Sequence, residues 1–199
     1  MVANLKTFIS AEDYLEGEKT SPIKHEYIQG QVYAMAGASD AHVTISLNFA
    51  SMLRSHLRGG ECRVYITDMK AQIESLNSYY YPDVMVTCDR RDREFDYFKR
   101  YPTLIVEVVS PSTEAFDRGD KFIDYQTLET LSEYVLISQT RFRVDCFRRN
   151  AEGQWVLYSY TPGEEVYLAS IDFRTELAAI YEDVSLNEIP PNDSNGRDC

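Results

Sequence analysis

Apolar spacing divides the chain into helical and extended segments. Val43, Ile45, Leu47, Ala50, Leu53 and Leu57 recur near the helical period, between Asp40, a suitable N-cap, and the stop signal Gly59-Gly60. That predicts a first long helix. A shorter helix is expected after Ser10. There Ser10-Ala11-Glu12-Asp13 has capping-box character with aspartate at the usual glutamate position, and Gly17 and Pro22 interrupt the helical pattern. The stretch from Glu26 to Met35 reads as two short strands around a Gln29-Gly30 turn.

Residues 63–73 alternate around Val64, Ile66, Met69 and Ile73, and residues 79–87 read as a strand after an Asn77-Ser78 turn. Residues 103–109 contain the run Leu104-Ile105-Val106-Glu107-Val108-Val109 and predict a central strand covered on both faces. Residues 117–131 predict a second long helix with Phe122, Tyr125 and Leu128 on one side. A short buried strand is expected at 134–137, and an exposed hairpin at 142–148 and 155–160 around Asn150-Ala151-Glu152-Gly153. Residues 171–181 read as irregular or weakly helical. The segment from Asn187 lacks core residues and is expected to be disordered. No internal repeat is visible. This order predicts an α/β (α+β) fold, a mixed sheet with helices packed on its faces, in one domain over residues 1–186 with a tail at 187–199.

Composition agrees with one domain: 199 residues, 44% hydrophobic, suffice for a sizeable core. The net charge of -12 matters more, because a protein that wraps nucleic acid usually carries a basic footprint that displaces counterions. An acidic excess argues against tight non-specific binding, while leaving room for a local basic groove or a contact with one scissile phosphate. Cys62, Cys88, Cys146 and Cys199 form no CxxC pair, which speaks against a zinc knuckle and reads as reduced cytosolic thiols. No signal peptide and no run of about 18 apolar residues is seen, so a cytoplasmic location without membrane partners is expected.

Two carboxylates carry the candidate chemistry. Asp83 opens an apolar strand after Pro82, and Glu107 interrupts the greasiest strand of the chain. An ionised carboxylate there is costly unless paired or metal-bound. Adjacent strands would bring Asp83 and Glu107 side by side, and two such oxygen ligands suit Mg²⁺ or Mn²⁺. The blander readings are a turn acid at Asp83 and an arginine bridge at Glu107. His42, near a helix start, reads as a ligand, a base or a local hydrogen-bonding group. Asp68 and Lys70 are expected to share one solvated strand face, and residues 89–100 to form a solvated loop able to approach DNA.

Pro82-Asp83 followed by Glu107-Val108-Val109 resembles the PD-(D/E)XK nuclease signature. The chain more narrowly resembles the Uma2 (DUF820) family. The matching segments are Glu26-Tyr27-Ile28-Gln29-Gly30-Gln31-Val32-Tyr33, His42, Tyr80-Tyr81-Pro82-Asp83-Val84, Glu107-Val108-Val109-Ser110-Pro111-Ser112-Thr113, Asp117-Arg118-Gly119-Asp120-Lys121 and Glu133-Tyr134. The resemblance implies a restriction-endonuclease-like fold and metal-assisted hydrolysis of DNA, with RNA also a possible target. Asp83, Glu107 and the Val108 carbonyl would hold Mg²⁺ (or Mn²⁺), and Glu26 would be an accessory acid. The signature asks for lysine where Val109 stands, and the resemblance implies a replacement by Lys121 from the following helix, steadied by Tyr125 one turn on.

Nucleases of this class often pair, so a homodimer is expected, with the aromatic hairpin near Trp155 as its surface. The rival reading is a catalytically weak or inactive dimeric binding or scaffolding module, favoured by Val109 and by the acidic charge. A hydrolase of another phosphate-bearing substrate is a third reading.

Overall fold

The computed structural model describes residues 8–186; the expected tail at 187–199 lies outside them. The elements in order are α1 (Ala11–Glu18), β1 (His25–Ile28), β2 (Gln31–Ala34), α2 (Asp40–His56), β3 (Arg63–Ile66), β4 (Lys70–Ile73), β5 (Ser78–Tyr80), β6 (Val84–Thr87), β7 (Phe98–Lys99), β8 (Pro102–Val109), α3 (Glu114–Arg118), α4 (Asp120–Gln126), β9 (Glu133–Ser138), β10 (Val144–Arg149), β11 (Trp155–Tyr160), β12 (Glu165–Leu168), β13 (Phe173–Glu176) and α5 (Leu177–Ile180).

Three sheets result: β2-β1-β5-β4-β7, β11-β10-β9-β8-β6-β3, and the hairpin β12-β13. In the six-stranded sheet β8 pairs antiparallel with β6 and parallel with β9, so the chain must cross over between β8 and β9, and α3 and α4 do so. β8 is covered on both faces, which is why its sequence runs nearly unbroken in apolar residues. Leu104, Val106 and Val108 meet Ile45, Phe49 and Leu53 of α2. Ile105 and Val109 meet Phe122 and Tyr125 of α4 and Ala71, Ile73 and Tyr80 of the smaller sheet. Each such fully buried aliphatic side chain contributes about 1.5–3 kcal/mol. Strand alternation puts Glu107 on the α4 face, between Ile105 and Val109.

Several local expectations are met. Ser10 caps α1 and accepts from the Asp13 N–H. The Gln29-Gly30 turn joins β1 to β2 with both residues at positive φ, 49° and 89°, the pairing that suits a tight hairpin and favours glycine second. The expected exposed hairpin is met only in part: β11 stands at the sheet edge with Val156, Leu157 and Tyr158 exposed, whereas β10 is an inner strand with Val144, Asp145 and Cys146 buried.

Others are corrected. α1 runs through Gly17, and α2 is capped by Ser39, one residue before the expected Asp40. Residues 63–73 are two strands in different sheets, because the chain turns at Thr67-Asp68-Met69. Asp68 therefore lies in that turn and is exposed, while Lys70 is buried; they share no solvated strand face. Residues 79–87 likewise divide into β5 and β6 around Tyr81-Pro82-Asp83. The helix expected over 117–131 breaks at Gly119, where a Cβ would stand 2.9 Å from the Ala115 carbonyl oxygen, and it ends at Gln126. Residues 171–181 carry β13 and the short α5. The 89–100 segment is partly structured: Asp92 is buried, accepting from the Arg100 and Tyr101 N–H groups.

The thiol expectation is also corrected. Arg63 faces Thr87 across β3 and β6, so Cys62 and Cys88 are the next facing pair, and they form a disulfide across 26 residues. Cys146 is free and buried. Closing a loop of that length restricts the unfolded chain by about 3 kcal/mol. Reduction with a thiol is expected to lower unfolding free energy by about 2–4 kcal/mol, measured by urea titration with and without reductant. Coincident curves would show that the bridge adds nothing.

Candidate active site

The site forms where the two larger sheets and α4 meet. β5 belongs to one sheet and β6 to the other, and Tyr81-Pro82-Asp83 carries the chain between them. Proline suits this crossing because it has no N–H to pair. Val84 pairs with Val106, so Asp83 and Glu107 stand next in line on adjacent strands. Asp83 Oδ2 accepts from the Val108 N–H at 2.7 Å, and Oδ1 lies 2.8 Å from His42 Nε2. His42 is placed by the first turn of α2, where its N–H donates to the Ser39 hydroxyl. Burial acts to lower the His42 pKa; the hydrogen bond and charge of Asp83, with Asp117 and the Val108 backbone behind them, outweigh it and raise it.

Glu107 is 4% exposed and Lys121 5%. Lys121 Nζ lies 3.0 Å from Glu107 Oε1, 3.1 Å from Glu26 Oε1 and 3.7 Å from Asp117 Oδ1. The partner of Glu107 is thus an ammonium, not the arginine of the blander reading. Gly119 makes this possible, since restarting the helix there turns Lys121, Phe122 and Tyr125 inward. The Tyr125 hydroxyl donates to Glu107 Oε1 at 3.3 Å, so tyrosine steadies the acid and not, as expected, the lysine. Lys121 also stands 5.4 Å over the Tyr80 ring. Glu26, on β1, accepts from the Tyr81 N–H.

One ammonium thus meets three carboxylates, with Asp83 beside them. Burial pushes the Glu107 pKa well up; Lys121 opposes the rise, while Asp117, Asp83 and Glu26 add to it. Burial likewise raises Asp117. Around Lys121 the order reverses: burial works against the charge, and Glu107, Glu26 and Asp117 overcome it, holding its pKa well above the usual lysine value. Such a cluster is deficient in positive charge.

Glu26 and Glu107 thus both contact Lys121, and Asp83 is joined to Glu107 through the neighbouring Val108 N–H. Sequence reasoning missed Asp117 as a site residue and the His42–Asp83 contact. The i, i+4 spacing of Asp117 and Lys121 was the available signal for the first; the second joins residues 41 apart and left no local signal. Outside Glu26, a cleft of about 620 Å³ is lined by Tyr33, Tyr80, Phe116 and Asp124 among others.

The fold is restriction-endonuclease-like, a mixed sheet core flanked by helices with a helical crossover between its parallel strands β8 and β9. A solved structure shares the fold over most of its length: "a putative nuclease belonging to DUF820" from Anabaena variabilis ATCC 29413. It has a TM-score of 0.71 at 16% identity, covering 87% of this chain and 98% of that one. The model of the Uma2 family, described as "Putative restriction endonuclease", matches residues 11–180, and the chain belongs to that family. Two relatives from Synechocystis sp. (strain PCC 6803) are the uncharacterized proteins slr1290 and sll1609. The first is 42% identical over 173 residues, 87% of this chain and 91% of its own length. The second is 33% identical over 159 residues, 79% and 90% respectively. Among the described residues no helix is long and apolar enough to cross a membrane.

Proposed function

We propose that this chain is an Mg²⁺- or Mn²⁺-dependent endonuclease that hydrolyses phosphodiester bonds of DNA. The observation that carries the reading is the cluster of buried Glu107 and Asp117 and half-buried Glu26 around the single ammonium of Lys121, with Asp83 at the mouth of the adjoining strand.

As packed, no three carboxylate or imidazole side chains among the described residues surround one point at ligand distance. The donor set nevertheless fits a hard dication, because its oxygens are carboxylates and a carbonyl and their charge exceeds that of the one lysine. Asp83, Glu107 and the Val108 carbonyl would hold it. When bound, the cation polarises a phosphoryl oxygen and acidifies a water.

The chain's own groups do the rest. Lys121, held charged by its three acids, orients the attacking water and offsets charge that grows on the phosphoryl oxygens. Glu26 shares that lysine and accepts a proton or hydrogen bond from the water. His42 and the Val108 N–H fix both oxygens of Asp83. Tyr125 fixes Glu107.

The test is incubation of the full chain with plasmid DNA, linear DNA and RNA in Mg²⁺, Mn²⁺ or EDTA, beside calorimetric cation titration. Nicking that needs the cation and stops in EDTA supports the reading. A second reading, a dimeric binding module without activity, draws on Val109 in place of lysine and on the exposed apolar edge strand β11. No cleavage of any substrate, no cation binding and a dimer by light scattering would establish that reading and sink the first.

A further inference from the structure

Lys70 has no part in the chemistry above, yet its setting is unusual for a lysine. Ala71 and Ile73 of β4 point into the core shared with α4, so Lys70 and Gln72 face the other way. Lys70 is only 6% exposed. A lysine buried to that degree normally has a carboxylate partner. Among the described residues none lies within ion-pair distance of its Nζ, and nothing there accepts a hydrogen bond from it.

The two acids that act on Lys70, Glu18 and Asp68, are engaged elsewhere. Glu18 accepts from the Tyr81 hydroxyl at 3.0 Å and lies 2.7 Å from His25 Nδ1. Asp68 is paired with Lys24. What Lys70 has is the face of Tyr81, 5.0 Å from Nζ to the ring centroid. Burial draws its pKa down, as expected for an ammonium short of counter-charge.

Lys70 lines a cleft of about 300 Å³ together with Lys19, Lys24, Tyr81, Tyr97 and the carboxylates of Glu18 and Asp68, while Lys19 is paired with Glu16 outside it. Three lysines against two carboxylates on one small concavity still stand out in a chain of net charge -12. The fitting occupant is an anion with several acceptor oxygens, able to take the free donors of Lys70 and to compete with Asp68 for Lys24. The cleft adjoins the acid cluster through one residue. The Tyr81 ring is its wall, the Tyr81 N–H donates to Glu26, and Asp83 comes two residues later, about 7 Å of extended chain.

We propose that this cleft is a phosphate subsite, in which Lys70 at the base and Lys24 and Lys19 at the rim take a phosphate of the nucleic-acid backbone beside the one hydrolysed at Asp83 and Glu107. The identity of the ligand as nucleic acid rests on the nuclease reading; the affinity for phosphate does not. The cleft then supplies part of the local basic footprint that an acidic nuclease needs.

The test compares the full chain with Lys70→Met, which keeps side-chain length and removes the unpaired charge, so thermal unfolding is expected to change little. Three measurements distinguish the two proteins. In EDTA, inorganic phosphate and pyrophosphate titrated by ³¹P NMR are expected to bind the native chain at least tenfold more tightly than the variant. Oligonucleotide binding in EDTA across a salt series is expected to lose about 0.7 of slope for single strands, or about 0.9 for duplex, as one phosphate contact disappears. In Mg²⁺, KM is expected to rise about tenfold with kcat within about twofold, the pattern of lost uniform binding.

A folded variant with native phosphate affinity and salt slope overturns the proposal. Asp83-dependent cleavage that Lys70→Met leaves untouched overturns it while the nuclease reading stands. Phosphate binding that needs Lys70, in a chain that cleaves nothing, upholds the subsite and sinks the nuclease reading. Should Lys70→Met fail to fold, Lys24→Ala at the half-exposed rim takes its place, with phosphate affinity expected to fall about threefold and an unchanged value overturning the proposal.

Discussion

Asp83→Asn is expected to remove cation-dependent cleavage, lowering kcat/KM on the order of 10³-fold or more, while the protein stays folded. Asp83 sits at the mouth of β6 with both oxygens fixed, one by the Val108 N–H and one by His42. Asparagine keeps an acceptor for Val108 and nearly the same volume, and it removes the charge. Any fall in stability should therefore stay near the cost of one weakened hydrogen bond, about 1–3 kcal/mol. Asp83→Ala removes both acceptors and is expected to lose the same activity with a larger stability penalty. Cleavage is measured on linear DNA at fixed Mg²⁺, and stability by thermal unfolding of the same preparations. Native turnover by folded Asp83→Asn would remove Asp83 from the chemistry and leave it as a bracket between α2 and β8.

The frame of the site was legible because its residues break local rules. Glu107 is a carboxylate in a strand that otherwise reads as core, and strand alternation alone puts it on the face opposite Leu104, Val106 and Val108. Asp83 stands after a proline at a strand entry. The α/β architecture was equally visible, since the apolar run of β8 demands cover on both faces.

The hidden features depend on how the chain divides between sheets. Thr67-Asp68-Met69 contains neither glycine nor proline, and Thr67-Asp68 alone is a weak turn signal, so the division of β3 from β4 is hidden and Lys70 reads as solvated. Tyr81-Pro82-Asp83 was readable as a strand entry, but not as the crossing between two sheets. The Cys62–Cys88 bridge depends on the β3–β6 register, which spacing along the chain does not reveal. The shift of the α2 cap from Asp40 to Ser39 is a choice between two competent neighbours. Asp117 opens a segment that carries the family resemblance, but its role is hidden because the helical pattern over 117–131 conceals the break at Gly119 that turns Lys121 inward.

Lys121→Met is expected to produce the larger stability loss, about 3–5 kcal/mol at neutral pH, because it leaves Glu107 and Asp117 buried, and Glu26 half-buried, with no cation beside them. The loss should depend on pH in a defined direction. Burial already holds the Glu107 and Asp117 carboxyls above their ordinary values in the native chain, and losing the ammonium, which opposes that rise, lifts both further. Folding of the variant then favours their protonated forms more strongly than folding of the native chain does, so the penalty is small at about pH 4 and grows as pH climbs through the native toward the higher variant folded-state values. In the native chain Lys121 has the opposite linkage: its raised pKa contributes stability that is complete below the ordinary lysine value and lost only above it. Glu107→Gln in the Lys121→Met background removes the most deeply buried charge and keeps an acceptor for the Tyr125 hydroxyl. It is expected to recover at least half of the lost stability and none of the activity, a coupling that urea titrations of the four proteins at about pH 4.5 and 7.5 would measure. A Lys121→Met penalty that is the same at both pH values, or is unmoved by Glu107→Gln, would mean that packing and not charge holds Lys121 in place. The case for a cation-deficient cluster at the centre of this fold would then fall with it.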